Sequence, residues 1–172
     1  MTKKKVFLTI LVVILAASMI AATATNVYPL KFGENADFHN GRAGIAFINS
    51  KMAGNVHVAR KDTSKVKGEN PPQFTQLLLD VRLTDSKGQR VNTVVGPVNV
   101  YFKLRGPELR MYNDGQLGIF YYSDYQNKWV ACPSVLLNKQ SSPRLSCRIR
   151  VFGLYGLGTA NGVVVKNPPS GG

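Results

Sequence analysis

The sequence predicts an all-β fold: a single antiparallel β-sandwich of about 7–8 short strands, preceded by an N-terminal signal or anchor helix. Three observations point there. Apolar and polar residues alternate with period two through most of the chain after residue 24. Turn-forming residues interrupt that alternation at short intervals. Nothing after the first 24 residues reads as a long amphipathic helix.

The first element is a leader. Lys3, Lys4 and Lys5 form a positive start, an apolar run from Val6 to about Ala17 follows, and the stretch closes with Ala22-Thr23-Ala24. A basic start, a short apolar centre and a small-x-small end describe a secretory signal, with the mature chain starting near Thr25. The other reading is an uncleaved anchor. Val6 to Ala24 is 19 residues, interrupted only by Thr9, Ser18 and Thr23, and is just long enough to cross a bilayer. No cysteine precedes Cys132, so lipid attachment at the signal end is excluded. Residues 25–37 read as a linker, 38–160 as the β-sandwich domain, and 161–172 as a final short strand, Val163 to Val165, with a disordered tail ending in Pro168-Pro169-Ser170-Gly171-Gly172.

Within the domain, Leu77, Leu79, Val81 and Leu83 alternate with Asp80, Arg82 and Thr84, which face away. Val98, Val100, Phe102 and Leu104 form a second apolar face. In Leu145 to Val151 the apolar set includes Cys147, while Arg148 and Arg150 point out. Such half-buried strands belong to antiparallel sheets. Shorter candidates are Gly44–Ile48, Val56–Ala59, Gly118–Tyr122 and Lys128–Cys132. Asp85-Ser86-Lys87-Gly88 and Asn113-Asp114-Gly115 are tight-turn sequences, and Ser123 to Asn127 is a hairpin loop. Pro71-Pro72 and Gly96-Pro97 fall between strands, where a missing backbone donor does no harm. Lys61 to Gln73 reads as a long mobile loop.

Charge and cysteines narrow the partners. The chain carries 22 basic and nine acidic residues; the leader holds three of the former and none of the latter, so the mature part has net charge +10. That surplus favours anionic envelope polymers or lipid head groups, or else serves solubility alone. Outside the cytosol no nucleic-acid partner is expected, and membrane contact is expected only if the leader is retained. Cys132 and Cys147 are an even pair in a compartment that permits disulfides. Their bridge would close a loop of about 15 residues, worth roughly 3 kcal/mol.

Chemistry-bearing clusters are sparse. His39 falls in a loop and His57 alternates outward between Val56 and Val58. Neither has a nucleophile context. The acidic residues are scattered, and Asp80 and Asp85 sit on a strand face and in a turn. No catalytic, metal-binding or cofactor-binding residues are expected. Tyr112, Tyr121, Tyr122, Tyr125 and Trp129 crowd one stretch. They form either a platform for sugar rings, aided by Arg148 and Arg150, or core filling and hairpin cover. Pairing of Cys132 on the core side turns Val130 inward and Trp129 outward; a bulge, or a buried Trp129 with a non-core disulfide, would change this.

The order of features, with Gly96-Pro97-Val98-Asn99-Val100-Tyr101-Phe102, Tyr121-Tyr122-Ser123-Asp124, Lys128-Trp129-Val130 and a closing stretch from Val151 to Gly158, resembles the β-sandwich module of ankyrins and netrin receptors that also occurs on bacterial cell-surface proteins. The resemblance covers about Phe38 to Ala160, and its most specific part is Tyr-Tyr-x-Asp followed by Lys-Trp-Val. Some members of that family cut their own backbone at a His-Phe-Ser step, where the serine attacks and the histidine assists. The matching residues here are Val151, Phe152 and Gly153, so the resemblance implies no self-cleavage. The expectation is a non-catalytic, extracytoplasmic (secreted, periplasmic or cell-surface) structural or protein-binding β-sandwich, partnered by other envelope proteins or anionic envelope polymers. The alternatives are a carbohydrate-binding module using Trp129 and nearby tyrosines, and a membrane-anchored accessory subunit if the leader is uncleaved.

Overall fold

A computed structural model describes residues 25–29, 35–38, 41–47, 54–92, 98–138, 141–149 and 151–159. The leader, His39, Arg150, Val163–Val165 and the tail lie outside the described residues.

The described chain is mostly strand, in two antiparallel sheets with one short helix. Its elements are β1 (Thr25–Pro29), β2 (Asn35–Phe38), β3 (Ala43–Phe47), β4 (Gly54–Lys61), β5 (Gln73–Asp85), β6 (Arg90–Val91), β7 (Val98–Lys103), α1 (Gly106–Asn113), β8 (Leu117–Ser123), β9 (Lys128–Cys132), β10 (Ser134–Leu137), β11 (Arg144–Arg148) and β12 (Gly153–Thr159). One sheet has seven strands, ordered β1-β4-β5-β12-β8-β9, with β6 also paired to β5. The other has five, ordered β10-β11-β7-β3-β2. Twelve strands thus replace the expected 7–8. The linker assigned to 25–37 contributes strands β1 and β2, each at one edge of a sheet. The single stretch Leu145–Val151 ends as a strand at Arg148. The chain then passes from the five-stranded to the seven-stranded sheet before resuming as β12. Val151 and Phe152 lie in that passage.

Alternation decides which side chains meet. Directly opposed residues in an antiparallel pair share a face, and the register sets Val58 opposite Val81, Leu79 opposite Tyr155, and Ile119 opposite Cys132. In the other sheet Val100 lies between Cys147 and Ile45, and Phe102 between Leu145 and Ala43. These side chains, drawn from both sheets, form one buried cluster. Each large apolar member contributes about 1.5–3 kcal/mol by leaving water. The alternation of β5 and β7 read from sequence therefore points the way the structure has it.

Helix α1 has no counterpart in the strand assignment. It starts at Gly106-Pro107-Glu108, where proline suits the first turn and the Glu108 carboxylate accepts the Arg105 backbone N–H at 2.6 Å. Glu108 is buried and also accepts from Arg42 Nη2 at 3.1 Å. The stretch Asn113-Asp114-Gly115, read as a tight turn, closes this helix. Gly115 N–H donates to Tyr112 O, Gln116 N–H donates to Met111 O, and Gly115 takes φ +71°, which glycine adopts without strain. Asp85-Ser86-Lys87-Gly88 does turn the chain. Asp85 Oδ1 accepts from Lys87 N–H at 2.9 Å and Gln89 N–H at 2.8 Å, which returns the chain into β6.

Candidate binding groove on the seven-stranded sheet

The outer face of the seven-stranded sheet, turned away from the shared core, carries two unlike halves. Near β8 and β9 it is apolar: Leu78, Phe120 and Tyr122 are buried there, outside the main cluster. Trp129 lies against them, its ring 4.8 Å from Phe74 and 5.5 Å from Tyr122, centroid to centroid and edge-on. What covers this patch is the connection between β4 and β5. Trp129 Nε1 donates to Lys67 O at 2.8 Å, and Asp62 Oδ1 accepts Ser64 N–H at 2.9 Å to start the short 3-10 turn Thr63–Lys65. The segment read as a mobile loop is thereby fastened to the sheet.

The other half is polar. Asp80 sits at mid-β5 between Ala59 of β4 and Leu154 of β12. It is only 7 % exposed. Two residues along the same strand, and so on the same face, Arg82 grips it with Nε to Oδ1 at 3.3 Å and Nη2 to Oδ2 at 2.7 Å. Lys61 Nζ stands 3.8 Å from Oδ2. The hydrogen bond to Asp80, and then its charge, holds the Arg82 guanidinium above its ordinary range. Next along the face, His57 Nε2 and Thr84 Oγ1 are 2.9 Å apart.

Around these residues run two adjoining hollows of about 370 and 450 Å³ that share Lys61, Asp80, Arg82 and Arg90. The first extends over His57 and Thr84 toward Thr25. The second extends past Lys67 and Asp124 to Leu78, Tyr122 and Leu154. Together they form one groove with a charged waist, and both volumes lie in the range of small-ligand sites. The groove carboxylate Asp80 is engaged by Arg82 and does not orient His57, so no acid–base relay links them. Among the described residues no cluster of three or more metal-ligating side chains is present.

The residues predicted as a binding surface are dispersed. Tyr122 and Trp129 share the outer face but are largely covered, and the Tyr122 hydroxyl donates to Asn127 Oδ1. Tyr121 points the other way, opposite Val130 and 6.0 Å from the Tyr155 ring on the core side. Tyr125, 97 % exposed, stands alone at the β8–β9 hairpin. Arg148 lies exposed on the other sheet, opposite Asn99, and Arg150 is outside the described residues. No open aromatic platform results among the described residues. Strand β9 pairs with β8 in unbroken register, so Trp129 is outward as alternation requires and no bulge is needed. Sequence reasoning passed over the waist. Its only signal was the polar side of β5, Asp80, Arg82 and Thr84, which looks like any solvated strand face until β4 and the following connection wall it in.

Beside Arg148, the outer face of the five-stranded sheet has its own network. Arg144 lies 5.0 Å above the Tyr101 ring, and the buried Tyr101 hydroxyl donates to Asp37. Burial, and then that bond, raise the Tyr101 hydroxyl above its ordinary value near 10. The unfolded chain releases this proton near pH 10 while the folded chain retains it. Stability is therefore whole below pH 10 and falls as pH rises beyond it. Urea unfolding between about pH 9 and 11 should show this decline in the wild type and a shallower one in Tyr101→Phe. Equal slopes would place the loss elsewhere.

No family model, curated protein or solved structure matches this chain.

Proposed function

We propose that the two sheets form a β-sandwich of the ankyrin and netrin-receptor kind and that the chain is an exported, non-catalytic envelope protein that works by binding. The observation that carries this reading is the groove waist. Its side chains are salt-bridged in place and offer charge and hydrogen bonds to a partner without a paired acid and base. The basic residues on both outer faces suit anionic envelope polymers or acidic faces of other envelope proteins. A carbohydrate-binding role through Trp129 has less support, because its N–H is committed to Lys67 O and its ring packs against Phe74 and Tyr122. If the leader is retained, the same domain serves as a membrane-anchored accessory subunit.

Cell fractionation tests the reading. The protein should accompany envelope material at low salt and leave it progressively as salt rises toward about 1 M, where charges are screened beyond about 3 Å. Arg90→Ser should weaken retention and leave the melting temperature unchanged, since an exposed strand position carries little packing energy. A cytosolic protein would overturn the assignment, and retention indifferent to salt would remove charge as its basis.

A further inference from the structure

Charge is spread unevenly along the groove, and the strand register explains why. Strand β5 is flanked by β4 on one side and by β12 and β6 on the other. Lys61 on β4 lies opposite Leu78, and Arg90 on β6 lies opposite Thr84, both on the face that carries Asp80 and Arg82. Three cations thus approach the waist from two flanks and the middle. In the hollow over His57 they stand against one carboxylate, a surplus of two. The adjoining hollow adds Lys67 but also Asp62 and Asp124, so four cations meet three carboxylates and the surplus is one. A multiply charged anion therefore suits the first hollow better than the second. Asp80 leaves Arg82 with donors to give. Of the five N–H groups of a guanidinium, Nε–H and one on Nη2 are spent on Asp80. The edge between Nη1 and Nη2 remains, on a side chain that is 55 % exposed. The backbone groups of β4 and β5 beneath the hollow are paired in the ladder, so an extended peptide would gain no main-chain bonds there.

We propose that the hollow over His57 binds a phosphomonoester group, carried on a small polyol or met as inorganic phosphate itself. At neutral pH such a group has a charge of about −1.5 to −2 and three acceptor oxygens. That charge matches the surplus of the lining, and the oxygens meet cations held on three different strands. Arg82, oriented by Asp80, takes two oxygens on its open edge, and Lys61 and Arg90 close on the group from the flanks. A carboxylate brings one charge and two oxygens in a plane, which satisfies Arg82 and leaves the flanking cations short. A sulfate ester has the oxygens but a single charge. The inference rests on the reading of the groove as a binding site and names the ligand of that surface.

Calorimetric titration of the purified protein, in phosphate-free buffer at low salt, tests this with probes built on one skeleton: glycerol phosphate, glycerol sulfate, glycerate and glycerol. Glycerol phosphate should bind. The sulfate ester and glycerate should each bind about tenfold more weakly, the loss of one charge-assisted hydrogen bond, and glycerol should give no heat. Inorganic phosphate separates the two sources. Affinity equal to or above that of glycerol phosphate assigns the site to the free ion, and weaker affinity assigns it to an ester. Arg90→Ser and Lys61→Ala should each lower glycerol phosphate affinity about tenfold. Arg148→Ser, on the other sheet, should not change it, and equal melting temperatures should show the variants folded. Arg90 is exposed on a strand of two residues, so Arg90→Ser alone carries the test if Lys61→Ala melts early. Absence of binding by both glycerol phosphate and inorganic phosphate overturns the proposal. So does glycerate or the sulfate ester binding as tightly as the phosphate, or an Arg148→Ser loss as large as that of Arg90→Ser, since each reveals attraction to any anion. A protein that ignores both phosphates yet stays on envelope material refutes the phosphate site and leaves the envelope reading standing. A cytosolic protein that binds glycerol phosphate through Arg90 refutes the envelope reading and leaves the site.

Discussion

Replacing Cys132 and Cys147 with alanine is expected to lower the free energy of unfolding by about 2–5 kcal/mol. The two cysteines lie 15 residues apart in sequence with Cα atoms 6.0 Å apart, a disulfide separation. They lie in different sheets. Cys132 ends β9 in the seven-stranded sheet and Cys147 lies in β11 of the five-stranded one. Both are buried in the core the sheets share, so the bridge ties one layer to the other. It does so at the side where β9 and β10 end their sheets. In the loop-entropy account, cross-linking these positions removes about 3 kcal/mol of freedom from the unfolded chain. Denaturant unfolding of the double variant should shift its midpoint downward, and thiol titration of the native protein should find no reactive cysteine. A double variant within about 0.5 kcal/mol of wild type would show that the bridge contributes nothing to holding the sheets together.

Gly44→Ala should cost about 2–4 kcal/mol, much for a single added methyl. Gly44 lies opposite Tyr101 on the outer face of the five-stranded sheet. A Cβ at this position would overlap the Tyr101 ring and come within 2.7 Å of the Ala36 carbonyl oxygen. The ring would have to move, and its hydroxyl would leave Asp37 while its face would leave Arg144. Shortening the ring relieves the clash, so Tyr101→Ala in the Gly44→Ala background should cost less than the sum of the two single changes. Thermal unfolding of the four proteins measures this coupling. Additive effects would mean that Gly44 and Tyr101 do not meet.

The parts of the fold legible in the sequence are those governed by local periodicity. Strands β5, β7 and β11 announce themselves because period two is a property of consecutive residues, and the inward set Leu79, Val81, Val100, Phe102 and Cys147 follows from it. Asp85 turns the chain through bonds to its own neighbours, which is also local. Helix α1 was legible in principle, since Pro107 and Glu108 begin it and Gly115 ends it. Its eight residues are too few for a helical period to stand out against the strands around them. Edge strands β1, β2 and β10 are four or five residues long and gain their form from β4, β3 and β11, each distant or crossed by a turn.

The candidate site divides along the same line. Sequence alone determined that Asp80, Arg82 and Thr84 share a face and that the chain carries far more cations than carboxylates; the unbroken register of β8 with β9 was needed to turn Trp129 outward. Only tertiary structure decided what those facings meet. The connection after β4 folds back onto the sheet, Lys67 O takes the Trp129 N–H, and an outward aromatic becomes the fastening of a wall. The end of β4 and the turn before β6 bring Lys61 and Arg90 beside Asp80, so an ordinary solvated strand face becomes the floor of a groove. Alternation is set by bonds between neighbouring residues and is readable one residue at a time. Cover, enclosure and charge pairing depend on which distant segments pack together, and that is settled by the burial of the whole chain.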